Sequence, residues 1–129
     1  MIPVVRVKPG VEFTTIAPGG FVILGALNYV ASQIQHDLTI TSACDGLHSG
    51  PDDPHHRGEA YDVRTHDLPD KELALATLVT VLGEHFYAFL EDPGSENEHI
   101  HCQIRKGTVY PPVLQNNVET VQEASAGEN

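Results

Sequence analysis

The chain has 129 residues, a net charge of −11 and a hydrophobic fraction of 40%. This length suits a single domain that can bury a core without disulfide support. The negative charge argues against nucleic acid and anionic membranes as partners, and no apolar run approaches the ~20 residues of a membrane span. The N-terminus lacks a basic start followed by an apolar stretch, so we expect no signal peptide.

The first half of the chain alternates between strand and helix patterns. Residues 3–8 predict a short edge strand, and Pro9-Gly10 is typical of the turn that ends it. Pro18-Gly19-Gly20 indicates a break before a helix over residues 21–36. The helix has an apolar stripe at helical spacing, formed by Leu24, Leu27, Val30, Ala31 and Ile34. Residues 38–43 alternate and are rich in β-branched side chains, which favours a strand.

The second half begins with a polar loop over residues 44–57, followed by a short strand over residues 60–65. Asp67 or Asp70 is expected to cap a second helix, and Gly83 is a plausible end for it. The stripe expected to be buried on this helix consists of Leu75, Leu78, Val79 and Leu82.

The last predicted elements are a strand over residues 86–91, a turn over residues 92–95 and a strand over residues 99–105. Residues 1–110 are therefore expected to form one α+β domain, a small antiparallel or mixed sheet with two helices packed on it. From residue 111 onward the chain is polar and acidic, so residues 111–129 are predicted to be a tail.

The two cysteines, Cys44 and Cys102, are too few for a disulfide framework. We expect both to be reduced, small core residues.

Three residues in two separate segments suggest a metal site. His55 ends the polar loop, Asp62 lies on the strand that follows, and His101 lies on the last strand. Gly58 permits a tight turn between the loop and the first of these strands. Two imidazoles and one carboxylate are a common catalytic zinc set, because they leave a coordination position open for water.

The last strand carries a His-x-His pair. His99 and His101 are expected on one face, with Ile100, Cys102 and Ile104 on the other. Glu98 is the predicted general base, yet in a regular strand it faces away from His101. It reaches the same site only if a turn or bulge precedes the strand.

Other interpretations of these residues remain open. Asp62 is also a candidate salt-bridge partner for Arg57 or Arg64, and His101 is a candidate hydrogen-bonded core imidazole. However, a carboxylate buried between histidines is costly without a cation. A calcium ion is a further candidate, held by the loop carboxylates of Asp45, Asp52 and Asp53.

At these residues the chain resembles the zinc peptidases of the D-alanyl-D-alanine carboxypeptidase and L-alanyl-D-glutamate endopeptidase family, which includes phage endolysins and shares its fold with the Hedgehog signalling domain. Four residues, His55, Gly58, Ala60 and Asp62, meet the pattern Ser-x-His-x-x-Gly-x-Ala-x-Asp. The pattern Glu/Asp-x-x-His is met by Glu98 and His101. The resemblance covers about residues 22–106.

The resemblance implies a Hedgehog/DD-peptidase-like fold, Zn²⁺ held by His55, Asp62 and His101, and Glu98 as the base. It also places His48 and His99 near the metal as groups that assist catalysis. Asp53 stands where the family has Ser. Carboxypeptidase members carry a substrate-binding Arg after the strand corresponding to residues 38–43, where this chain has Ala43-Cys44-Asp45. Arg57 and His99 are the candidate substitutes.

The function expected from this resemblance is zinc-dependent hydrolysis of peptidoglycan stem peptides by a phage-encoded enzyme, in the host cytoplasm before lysis or in the virion. The alternative is a non-catalytic zinc module that forms part of a phage particle. In that case the acidic tail is a candidate contact with virion proteins or with a second copy of the chain.

Overall fold

The computed structural model describes residues 2–46, 48 and 50–108. The elements in chain order are β1 (Val5–Val7), α1 (Pro18–Ile34), β2 (Leu38–Ser42), β3 (Ala60–Arg64), α2 (Lys71–Leu82), β4 (Phe86–Glu91) and β5 (His99–Ile104). The predicted tail lies outside the described residues. No helix in the described part of the chain is long and apolar enough to cross a membrane.

The five strands form one mixed sheet in the order β1-β2-β3-β5-β4. Strand β1 pairs parallel to β2, and all other neighbours pair antiparallel. Both helices contribute to one core cluster with the strands, so they cover the same face of the sheet. The predicted α+β class is confirmed. Neither helix covers the opposite face of the sheet, which we call the open face.

Alternation along the strands sorts side chains between these two faces. The core face carries Leu38, Ile40, Tyr61, Val63, Ile100, Cys102 and Ile104, all nearly inaccessible to solvent. The residues between them, including Asp62 and His101, therefore project from the open face. The predicted division of β5 between histidines and apolar residues is confirmed.

Helix α1 begins three residues earlier than predicted, because Pro18, Gly19 and Gly20 form its first turn. Proline is tolerated at the first helical position, where its missing N–H has no intrahelical partner. A Cβ atom on Gly20 would lie 2.1 Å from the carbonyl oxygen of Gly58. The helix start thus packs directly on the loop that precedes β3, and only glycine fits there.

Helix α2 is capped by Asp70, whose side chain accepts a hydrogen bond of 3.0 Å from the Leu73 amide. Its buried residues are Ala74, Leu78 and Leu82, spaced four apart. The prediction that Val79 is buried was wrong, because it lies a third of a turn beyond this row and is 46% exposed.

Both cysteines are free thiols. Cys102 is buried in the core, where its thiol donates to the Tyr61 carbonyl oxygen at 3.2 Å. Burial raises the pKa of this thiol far above its usual value, so it stays protonated. Cys44 is only partly buried, and its thiol donates to the Thr15 carbonyl oxygen.

Candidate metal centre

Three predicted ligands meet on the open face of the sheet. Asp62 on β3 and His101 on β5 are direct cross-strand partners, so their side chains project side by side. His55 reaches the same point from the loop between β2 and β3. Its Nε2 atom lies 3.3 Å from Oδ1 of Asp62, and Nδ1 of His101 lies 2.9 Å from the same oxygen. One ligand atom from each residue falls within 4.8 Å of the others.

The second ring nitrogen of each histidine contacts an oxygen. Nδ1 of His55 is 3.0 Å from the Ala43 carbonyl oxygen, and Nε2 of His101 is 2.7 Å from Oε1 of Gln103. The amide group of Gln103 is oriented by its Nε2 atom, which donates to the Ile104 carbonyl oxygen. In the neutral imidazoles, these outer nitrogens therefore carry the proton.

This arrangement points two nitrogen lone pairs and a carboxylate at one small volume. Without a cation there, an imidazole that carries one proton faces an oxygen with a bare nitrogen, either Asp62 on the inner side or the Ala43 or Gln103 oxygen on the outer side. A divalent metal ion satisfies all three groups at once, and the outer hydrogen bonds then fix each imidazole in the metal-binding tautomer. The chemistry of the three donors thus fits a metal ion.

The carboxylate and imidazoles of the cluster shift one another's pKa. Burial by itself raises the pKa of the Asp62 carboxyl, but contacts with His101 and His55 outweigh burial and bring that pKa well below its usual range. Burial acts to lower the pKa of His101, but hydrogen bonds with Asp62 and Gln103 raise it overall. Asp62 is therefore ionised at neutral pH and ready to bind a cation.

The loop before β3 fixes the orientation of His55. The carboxylate of Asp53 accepts a hydrogen bond of 2.9 Å from the His55 amide, at the position where the resembled family has Ser. Gly58 has a positive φ of 71°, and a Cβ atom there would lie 2.4 Å from the Thr15 carbonyl oxygen. Glycine is required at this turn for both reasons.

A second histidine in this loop braces it. Nδ1 of His56 contacts the Gly50 carbonyl oxygen at 2.6 Å, and Nε2 contacts the Gly46 carbonyl oxygen at 2.7 Å. One imidazole thus ties two turns of the loop together beside His55.

His48 lies beside the site as expected. Its ring stacks on His55 with a centroid separation of 3.9 Å and an interplanar angle of 2°. Its Nε2 atom is 3.1 Å from Oγ of Ser42, next to an irregularity in the pairing of β2 with β3. His48 is exposed, so its ring covers His55 at the mouth of the site.

His99 also lies beside the cluster, paired with Glu91, a carboxylate that was not predicted from the sequence. Its Nε2 atom is 2.7 Å from Oε2 of Glu91 and 3.6 Å from Oδ2 of Asp62. Its Nδ1 atom is 2.6 Å from the Asn97 carbonyl oxygen. Burial acts to lower the pKa of His99, but the Asn97 contact and the two carboxylates raise it overall.

The carboxylate of Glu98 does not lie beside His55, Asp62 and His101. Its carboxylate contacts Nζ of Lys71 at 2.8 Å, the Thr65 hydroxyl at 2.6 Å and the Gly94 amide at 2.8 Å. These contacts hold the pKa of Glu98 down at about 2. A turn does precede β5, but it directs Glu98 toward the start of α2 and not toward His101. The assignment of Glu98 as the base is therefore corrected on geometric grounds.

The salt-bridge and calcium interpretations receive no support from the contacts, whereas His101 is a buried imidazole that contacts Asp62 and Gln103. Arg57 pairs with Glu59 at 2.8 Å, and the ion pairs of Asp62 are all with histidines. Oδ1 of Asp45 accepts a hydrogen bond from the Ala43 amide. Among the described residues, no group able to hold a metal contains Asp45 or Asp52, so the calcium interpretation has no assembled site.

Two residues beside the cluster, Gln103 and Glu91, were not predicted from the sequence. Gln103 lies two residues after His101 and thus on the same face. Glu91 ends β4 and is the direct cross-strand partner of His99. The period-2 pattern could have found Gln103, but Glu91 needed the pairing of β4 with β5.

Comparison of the chain with protein-family models, curated proteins and solved structures gives no match.

Proposed function

We propose that the chain is a zinc-dependent peptidase that hydrolyses bacterial cell-wall stem peptides. The observation that carries the proposal is the convergence of His55, Asp62 and His101, with both histidines anchored through their outer nitrogens. Two nitrogens and one carboxylate oxygen suit zinc better than calcium or magnesium, which prefer oxygen ligands. Three protein ligands also leave an open position, as catalytic zinc sites require.

A zinc ion bound to these residues would acidify water and polarise a substrate carbonyl. The chain's own groups must then move protons. Glu91 is the carboxylate placed for this role: it lies at the rim of the open face and is 41% exposed. It would accept a proton from the attacking water and return it to the amine released when the C–N bond breaks.

His99 lies between Glu91 and Asp62 and supports this proton transfer. Hydrogen bonding to Glu91 orients the carboxylate, and a protonated His99 would stabilise negative charge developing on the carbonyl oxygen. His48, on the opposite side of the site, is a second group that would contact the reacting carbonyl. These roles use residues adjacent to the cluster, whereas Glu98 supports the scaffold.

The substrate class comes from the resemblance to the wall-peptide peptidases and their Hedgehog-like fold. Tyr87 and Phe89 extend the open face beyond His101, with ring centroids 6.3 Å and 5.4 Å from its imidazole. Partly exposed aromatic rings beside a metal site would give an extended peptide an apolar surface to lie on.

The test compares two matched carboxylate variants. Zinc-loaded wild type, Glu91→Gln and Glu98→Gln are incubated with a panel of purified muropeptides, and the products are identified by mass spectrometry. We expect Glu91→Gln to keep zinc and lose about 10²- to 10⁴-fold in rate, while folded Glu98→Gln keeps most of the activity. If Glu98→Gln lost much more activity than Glu91→Gln, Glu98 and not Glu91 would be the general base.

Zinc binding without cleavage of any muropeptide would reject the peptidase and favour the non-catalytic zinc module. If the protein bound no transition metal, both the zinc peptidase and the non-catalytic zinc module would be rejected.

A further inference from the structure

A cavity of about 490 Å³ adjoins the metal centre on the side of β1 and β2. Its lining includes Lys8, Thr41, Arg64 and His99. Arg64 lies two residues after Asp62 on β3, so the two side chains share the open face. It is also the direct cross-strand partner of His99. The cavity therefore reaches His99, whose Nε2 atom lies 3.6 Å from Oδ2 of Asp62.

The side chain of Arg64 has no protein partner among the described residues. Within the described residues, the side chains of Arg64 and Lys8 make no hydrogen bond or ion pair. Three other cations of the described residues are paired with carboxylates: Arg6 with Asp37, Arg57 with Glu59 and Lys71 with Glu98. Two unpaired cations lining one cavity are notable in a chain whose net charge is −11.

The acidic groups of this cavity do not neutralise the pair. Glu98 is already bound to Lys71. Asp92 and Glu96 lie in the turn between β4 and β5 and are exposed to solvent. Arg64 is instead partly buried, which strengthens its attraction for an anion. The planar guanidinium suits bidentate binding of a carboxylate.

We infer that Arg64 and Lys8 form a subsite that binds a free carboxylate of the peptide substrate next to the scissile bond. The inference rests on the proposed function and specifies its substrate as an anionic peptide. It also supplies a residue for the role in which the resembled carboxypeptidases use an Arg elsewhere. Arg57 does not fill that role, because it is paired with Glu59.

Two carboxylates of a stem peptide have the required chemistry. One is the C-terminal carboxylate, and the other is the α-carboxylate of a γ-linked glutamate. Four synthetic stem pentapeptides distinguish them: the free acid, the C-terminal amide, the glutamate α-amide and the doubly amidated peptide. Binding is measured by titration calorimetry with zinc-loaded Glu91→Gln protein, and cleavage is measured separately with the zinc-loaded wild type.

We expect one of the two amidations to weaken binding by about 10- to 100-fold, the effect of losing a charge-assisted hydrogen bond. Arg64→Gln should remove this discrimination, and Arg64→Lys should retain part of it. Arg6→Gln is the control, because it removes the same charge from a distant ion pair. Melting temperatures of all variants show whether each one is folded.

Equal affinity for all four peptides, or discrimination unchanged in folded Arg64→Gln, would overturn the subsite. Cleavage without discrimination leaves the peptidase function standing and rejects only the subsite. Discrimination without cleavage leaves the subsite standing and rejects the peptidase. Failure of all four peptides to bind rejects the subsite.

Discussion

Asp62 and His101 are direct cross-strand partners, and Oδ1 of Asp62 lies 2.9 Å from Nδ1 of His101. Their closeness follows from backbone pairing between β3 and β5, so it does not depend on a flexible loop. His55 is the loop-borne ligand, and its position relies on the turns around Asp53 and Gly58. Two of the three candidate ligands are thus positioned by the sheet.

Zinc content should depend on each of the three candidate ligands. Wild-type protein should bind one Zn²⁺ per chain, and His55→Ala, Asp62→Asn and His101→Ala should each lose it. Zinc at a hundredfold excess over its dissociation constant should stabilise the wild type by about 2.7 kcal/mol. Elemental analysis and melting curves measure both effects. His36→Ala, far from the site, is the control, and equal zinc content in all five proteins would contradict the assigned ligands.

Gln103 should matter for zinc affinity although it is not a ligand. Its Oε1 atom accepts from the outer nitrogen of His101, so Gln103→Met should weaken zinc binding by about 10- to 100-fold. Gln103→Glu should retain or strengthen binding, since a carboxylate accepts the same hydrogen bond. Competition with a chromophoric chelator gives the affinities. Equal affinity in wild type and Gln103→Met would mean that His101 is oriented by other contacts.

The ion pair of Glu98 with Lys71 predicts a pH dependence of stability. The pKa of Glu98 is about 2 in the folded chain and about 4.3 in an unfolded one. The unfolded chain therefore binds more protons between these values, and stability is lost as pH falls through this window. Above pH 5 the full contribution is present.

Urea unfolding of metal-free wild type and Glu98→Gln between pH 2 and pH 7 tests this expectation. The stability difference between the two proteins should be largest near neutral pH and shrink toward pH 2. Lys71→Met should show the same loss at neutral pH, because it removes the other partner. A difference that stays constant across the range would show that the ion pair does not set the acid response.

Two glycines in α1 offer a matched pair of substitutions. A Cβ atom at position 20 would lie 2.1 Å from the Gly58 carbonyl oxygen, whereas one at Gly25 meets nothing within 4 Å. Gly20→Ala should therefore destabilise the fold by about 1–3 kcal/mol through overpacking. Gly25→Ala should stabilise it by up to about 1 kcal/mol through helix propensity.

Denaturant unfolding measures both changes. Gly20→Ala should also weaken zinc binding, because the clash moves the loop that carries His55. Equal stability of the two variants would show that the helix start can shift away from Gly58 without cost.

The amino-acid sequence by itself determined the α+β class, most strand positions and the choice of His55, Asp62 and His101 as candidate ligands, since these depend on residue type and local periodicity. The face on which each residue of β5 projects also followed from alternation. The prediction for the start of α1 was wrong, because Pro18, Gly19 and Gly20 form its first turn and not a break before it. The packing of Gly20 against Gly58 joins segments 38 residues apart, so no local pattern contains it.

Only the tertiary structure decided which carboxylate lies beside the candidate ligands. Glu91 and Glu98 are seven residues apart, and spacing from His101 favoured Glu98. The pairing of β4 with β5 places Glu91 beside His99, while Lys71 at the start of α2 holds Glu98 elsewhere. Arg64 likewise gains its importance from strand order, which sets it beside His99 and leaves it without an internal partner among the described residues. Such long-range pairings are fixed by packing of the whole chain, so no local pattern contains them.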